Sequence, residues 1–321
     1  MLPVRRQAAP LCLLTAALAA LTGCGTPGHP VAARPAAPAS TSATTPTTPT
    51  TATSPAPPPA SAPAAPSAST PAAPSASTPS APSRPPTLAP GPAGLTPVFR
   101  SAPHAAGKTV ALTFDADMTA DQGARAAAGE RFDNPGLIAA LRQLKVPATV
   151  FMTGRWAEEY PGQARSVGRD PRFEIANHSY SHHAFTGDCY GLPTVPEDRM
   201  KADVERAYTA FRKAGVPNAM PYFRFPGGCY DSRALRAVSG TGVTAVQWDV
   251  VSGDAFATDA DAVARQVLDG VRPGSVVVMH CTRSAAPTTE QVVRTIVPEL
   301  RRRGYRFVKV SELIAAASTR R

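Results

Sequence analysis

No aspartate or glutamate occurs in the first 114 residues of this 321-residue chain. Ahead of residue 99 the only charged side chains are Arg5, Arg6, Arg34 and Arg84. The stretch from Gly25 to Pro97 is almost wholly Ala, Pro, Ser, Thr and Gly, with 21 of the 36 prolines. A segment with no periodic apolar face cannot bury a core, so a disordered linker is expected here. The tract PAAPSAST occurs at 63–70 and again at 71–78, a tandem repeat too short to fold by itself. Folding is therefore confined to the remainder, which holds 29 of the 33 basic residues and all 23 acidic ones.

Arg5 and Arg6 precede an apolar run from Ala8 to Leu21, the charged-then-apolar order of an export signal and too short for a confident membrane span. The run ends in Leu21, Thr22, Gly23 and Cys24, which resembles a bacterial lipobox, where the Cys is acylated and becomes the mature N-terminus. An ordinary signal peptide that happens to end near a Cys is the alternative. The expected organisation is a lipoprotein signal peptide over 1–23, a linker over 24–98 with Cys24 lipidated, and a catalytic domain over 99–321. Two acyl chains would anchor it stably to the cell membrane, and Pro-rich chain at about 3.1 Å per residue would let the domain reach roughly 200 Å into the wall.

The basic excess of six in the domain is dispersed rather than gathered in a patch. Arg301 to Arg303 fall near the end of a predicted helix, where cations complement the dipole. Aromatic residues are sparse and no stacking platform stands out, so nucleic acid is not an expected partner.

From Lys108 onward, short apolar runs alternate with amphipathic stretches, the pattern of repeated strand–helix units. Strands are predicted over Thr109–Phe114, Ala148–Met152, Phe173–Asn177, Tyr222–Phe225, Thr244–Trp248, Val276–Met279 and Tyr305–Val308. Helices are predicted near Pro135–Leu144, Glu197–Ala214, Asp259–Leu268 and Thr288–Arg303. An α/β fold of parallel strands follows, as an open sheet or a barrel, which periodicity does not distinguish. The polar clusters follow strands: Asp115 and Asp117, His178, Arg224, Asp249 and His280 each sit at or past a strand's C-terminal end, where barrel active sites are built.

His178 and His182 lie four apart in NHSYSHH, a spacing that on a helical turn would aim both imidazoles at one ion. A lone pair of this kind is also what a polar helix N-terminus with satisfied surface histidines looks like. Two imidazoles plus a carboxylate leave an open position, the pattern of a catalytic metal site. The carboxylate candidates are Asp115 and Asp117 in ALTFDADMT, which as residues i and i+2 of extended chain face the same way.

Taken in order, the strand ending TFD, the HSxxH tract, the RxP of FRFPGG, the Trp-Asp strand end and the apolar VVVMH resemble the five motifs of the NodB-like polysaccharide deacetylases, carbohydrate esterase family four. The resemblance spans roughly Lys108 to Ile314. It implies a distorted, incomplete (β/α) barrel, hydrolysis of acetamides on sugar chains, and a divalent metal, zinc or another. By it, Asp115 is the general base, His178 and His182 bind the metal, Arg224 orients the base, His280 is the general acid and Asp254 tunes that histidine. The family's first motif usually has two adjacent aspartates, whereas here Ala116 intervenes. Either Asp117 reaches the metal as third ligand or that ligand is missing. Val251 and Ala255 also stand where the family usually has Asp and Trp.

Cys189, Cys229 and Cys281 remain in the domain, and export permits one disulfide among them. All three follow the motifs and are expected to lie near one another; of the three possible pairings, Cys189 with Cys229 is the preferred one. The expected activity is removal of N-acetyl groups from a polysaccharide, peptidoglycan first and chitin oligomers second. Acetylxylan-type ester cleavage and an idle wall-glycan-binding module are the alternatives.

Overall fold

The computed structural model describes residues 84–102 and 107–318. The expected signal peptide, Cys24 and the linker up to residue 83 lie outside the described residues.

The strands are β1 (Val98–Phe99), β2 (Thr109–Ala116), β3 (Ala148–Met152), β4 (Phe173–Asn177), β5 (Ala219–Phe223), β6 (Thr244–Val246), β7 (Val250–Val251), β8 (Ser275–His280) and β9 (Arg306–Phe307). The helices are α1 (Gln122–Ala127), α2 (Pro135–Gln143), α3 (Gly154–Glu159), α4 (Pro161–Gly168), α5 (Glu197–Ala214), α6 (Ser232–Ala237), α7 (Ala260–Gly270), α8 (Thr289–Arg302) and α9 (Val310–Ser318). Local chemistry sets several boundaries. Asn134 Oδ1 accepts from Leu137 N at 3.0 Å to start α2 with Pro135 at its first position. Asp259 caps α7 through the amides of Asp261 and Ala262. Gly215, at φ 78°, ends α5 in the left-handed conformation.

All strand pairs are parallel, in the order β1-β6-β5-β4-β3-β2-β8-β7, with β9 alongside the start of β2. Every residue of β2 is buried, as a central strand covered on both faces requires. Val110, Leu112 and Phe114 pack beneath the helices with residues such as Leu137, Val267 and Ile296. Ala111 faces the other way, toward Phe151, Val276, Leu313 and Ile314, so α9 fills the concave side. The backbone amides of Val310 and Ser311 donate to Thr149 Oγ1 and Glu174 Oε1, at the N-terminal ends of β3 and β4.

The sheet curls until its far ends nearly meet. Gln247 N donates to Phe99 O, and two residues later Asp249 N donates to Val276 O. The described residues form a parallel half-barrel with flanking helices, as expected. Asp249 differs from expectation: its carboxylate accepts from Ser275 Oγ and Val276 N, at the start of β8, away from the strand ends that carry the other candidates. Part of the stretch assigned to the linker also packs on the domain: Leu88 N donates to Thr244 Oγ1, and Tyr222 OH donates to Pro86 O.

Candidate active site

The C-terminal ends of β2, β4, β5 and β8 bring the candidates together. Asp115, near the end of β2, is buried, and its Oδ1 accepts from Arg224 Nη1 at 2.6 Å. Arg224 is fully buried, its guanidinium 3.9 Å over the Phe151 ring and 5.3 Å from that of Trp248. Its Nε donates to Val246 O. Planar stacking and a carboxylate thus compensate a cation whose burial is otherwise unfavourable.

In register, Asp115 lies beside His280 across the β2–β8 ladder. His280 Nδ1 is 2.8 Å from Asp254 Oδ1, and its backbone amide donates to Asp254 Oδ2. Asp254 also accepts from Ser252 Oγ and Thr289 Oγ1. Burial would raise the Asp254 pKa, but His280 holds it below the ordinary carboxylate range. For His280, burial opposes the charge, yet the Asp254 contact, with Asp117 and Asp115 further off, pushes its pKa up to about 9.

On the opposite side, His178 Nε2 faces Asp115 Oδ2 at 3.7 Å, and His182 Nε2 faces Asp117 Oδ2 at 3.8 Å. Thr282 Oγ1 donates to Asp117 Oδ1. Burial lowers the His178 pKa and takes that of His182 down to about 4. Asp117, despite its burial, is held low by His182, His280 and Thr282. The two histidines are not on a helix as expected. Residues 178–183 form a loop with φ 70° at Ser179 and 57° at His182, and the rings approach through this turn, their centroids 5.0 Å apart.

Among the described residues no three His, Cys, Asp or Glu side chains form a ready-made metal cluster; the donors come as two facing pairs. The donor chemistry nevertheless fits a divalent cation. His178 Nδ1 lies 2.9 Å from Arg224 O, which can only accept, so Nδ1 carries the proton and Nε2 offers its lone pair toward a carboxylate. Two ligands of one tetrahedral ion stand roughly 3.4 Å apart, so the 3.8 Å between His182 Nε2 and Asp117 Oδ2 needs little adjustment. Asp117, His178 and His182 are the residues that could hold it, and Ala116 has not removed Asp117 from reach of His182.

Residues 103–246 match the family model for polysaccharide deacetylases. Over that segment the chain is similar to polysaccharide deacetylases. The matched segment ends before Asp254 and His280, so it covers the carboxylate and histidine side of the site. Over 196 residues the chain is 29% identical to a chitooligosaccharide deacetylase from Bradyrhizobium sp., covering 57% of this chain and 84% of that protein. A solved peptidoglycan N-acetylglucosamine deacetylase superposes with a TM-score of 0.57 at 25% identity, covering 68% of this chain and 92% of that one. A family four pseudoenzyme from Bacillus anthracis has the same fold, with a TM-score of 0.55 at 22% identity over 71% of this chain and 70% of that one. The expectation of an enzyme of the deacetylase class is met.

Sequence reasoning missed the hydroxyls of Ser252, Thr282 and Thr289, which fix Asp254 and Asp117. No local pattern marks them, since a hydroxyl is informative only once its partner is known. Cys189 and Cys229 are joined in a disulfide and Cys281 is a buried free thiol, its pKa pushed up to about 12 by burial.

Proposed function

We propose that this protein is a divalent-metal-dependent hydrolase that removes N-acetyl groups from a polysaccharide, with peptidoglycan the first substrate and chitin oligomers the next. The observation that carries the reading is the placement of an Arg224-bound carboxylate beside an Asp254-bound imidazolium on adjacent strands, Asp115 opposite His280. These are the base and the acid that amide hydrolysis requires.

In this mechanism Asp115 takes a proton from water as the water oxygen attacks the acetyl carbonyl carbon. Arg224 keeps the carboxylate aimed by occupying Oδ1, which leaves Oδ2 toward the histidine pair. The C–N bond then breaks, and the amine nitrogen takes a proton from His280. Because Asp254 occupies Nδ1, Nε2 is the nitrogen that donates. Acetate and a free amino sugar leave. When bound by Asp117, His178 and His182, a divalent cation, zinc first, supplies Lewis acidity toward the acetyl carbonyl.

The N-terminal signal and lipobox support export and membrane anchoring through Cys24, with the catalytic domain over 99–321 facing the wall; this favours a wall glycan as substrate. The names of the relatives support both peptidoglycan and chitin oligomers. Acetate release from peptidoglycan, chitin oligomers and acetylxylan, with defined metals and with chelator, tests the reading. Chelator-sensitive release from an N-acetylated glycan is expected. Release from acetylxylan alone would assign an O-deacetylase, and no release from any substrate with metal restored would favour an idle wall-glycan-binding module. Metabolic labelling with a fatty-acid analogue tests the anchor, which an unlabelled protein would exclude.

A further inference from the structure

The loop that carries both histidines uses side chains where most loops use water or backbone. Five consecutive amides, from Ser179 to His183, all donate to side-chain oxygens. Ser179 N donates to Asn177 Oδ1 at 2.8 Å, His182 N to Ser179 Oγ at 3.0 Å and His183 N to Ser181 Oγ at 3.2 Å. The two amides at the centre, Tyr180 N and Ser181 N, both donate to one oxygen, Asp203 Oδ2 on α5, at 2.9 and 3.3 Å. The first and last links in this series are local, within three residues of the amide they satisfy. Asp203 alone reaches in from another element.

The same helix grips the loop at other points. Asn177 Nδ2 donates to Val204 O. The Tyr180 ring packs where a Cβ on Gly154 would fall 2.4 Å from Tyr180 and 3.1 Å from the Ala207 backbone. Arg206 Nη2 donates to Tyr180 OH, which donates in turn to Glu158 Oε2. The first turn of α3 closes the other side, with Gly154 N donating to Ser179 O and Arg155 N to Tyr180 O. Left-handed backbone at Ser179 and His182 costs about 1 kcal/mol or more at each, so the turn persists only because its surroundings specify it.

We propose that Asp203 is a positioning residue that sets the mutual placement of His178 and His182 by holding the two amides midway between them. The inference rests on the reading of these histidines as metal ligands. Asp203 touches neither imidazole, so its effect passes through the backbone of Tyr180 and Ser181, in the way partners behind a metal's ligands commonly govern affinity.

The test is titration of Co(II) into the chelator-stripped full chain, read by its visible spectrum. Variants are Asp203→Ala, Asp203→Asn, and Glu205→Ala on the exposed side of the same helix as a control. Asp203→Ala is expected to weaken Co(II) binding by about 10–100-fold and to alter the spectrum. Asp203→Asn, which keeps an acceptor oxygen, should stay within about 3-fold of wild type. Should Asp203→Ala fold poorly, Asp203→Glu, which moves the oxygen by one methylene, carries the same expectation as Ala. Wild-type affinity and spectrum in Asp203→Ala would overturn the inference alone, as would equal losses in the Ala and Asn variants. No Co(II) uptake by the wild type would instead overturn the metal reading beneath it.

Discussion

Asp254→Asn should convert a broad pH profile into one that fails in mild alkali. In the wild type, His280 holds its proton to about pH 9 against its own burial, chiefly through Asp254. At pH 8 an imidazole of that pKa is charged in ~90% of molecules, whereas at the ordinary value of 6.5 it is charged in ~3%. The acid form is therefore depleted ~30-fold at pH 8 but less than ~2-fold at pH 6. The sign follows from the role: a group that must donate is lost as pH rises through its pKa, so lowering the pKa moves the alkaline limb of kcat/KM downward. A cation on the histidine pair would offset Asp117 and Asp115 in both proteins alike, so the difference between wild type and variant isolates Asp254. The assay is kcat/KM for acetate release at closely spaced pH from 5 to 10. An alkaline limb that stays in place, or a loss of equal size at every pH, would refute the assignment of His280 as acid and Asp254 as the residue that keeps it charged.

Other consequences separate the remaining roles. Asp117→Ala should lose bound metal, since its carboxylate faces His182, whereas Asp115→Asn should keep metal yet lose at least ~100-fold in rate; metal analysis of both purified variants decides, and full occupancy in Asp117→Ala would remove that residue from the ligand set. Cys229→Ser opens the link between Cys189 and Cys229, 40 residues apart, and should cost about 4 kcal/mol of stability by loop entropy. Thermal unfolding with and without reductant measures it, and an unchanged midpoint would show that the bridge constrains nothing.

Much of the frame could be read from periodicity. β3, β4 and α5 have the bounds expected, because each presents several residues of uninterrupted period between turn signals. β1 and β7 have two residues each, and α1, α3 and α6 have six, too few for either period to register. The candidate site was legible where its residues sit on or just past strands: Asp115, His178, Arg224 and His280. It was misread where the backbone leaves the regular regions. A four-residue spacing in NHSYSHH looks helical, but Asn177 and the serines offer the amides local acceptors and Asp203 takes the rest, which favours a loop. Asp249 shows the converse error. Its position after a strand resembled that of the others, but the chain crosses from β1 to β8 within those residues, so its carboxylate serves the sheet closure.

The pairing of β2 with β8 bears on how this molecule would fail under stress. Asp115 and His280 are neighbours in a ladder, and Cys281 N donates to Asp115 O at 2.7 Å immediately beyond them. Their spacing is thus a property of two hydrogen-bonded central strands, about 4.8 Å apart, and not of any loop. The histidine pair hangs on a turn held largely by side chains. Heat or denaturant should therefore dissolve the two halves of the site at different points, the turn first and the Asp115–His280 pair only with the sheet itself.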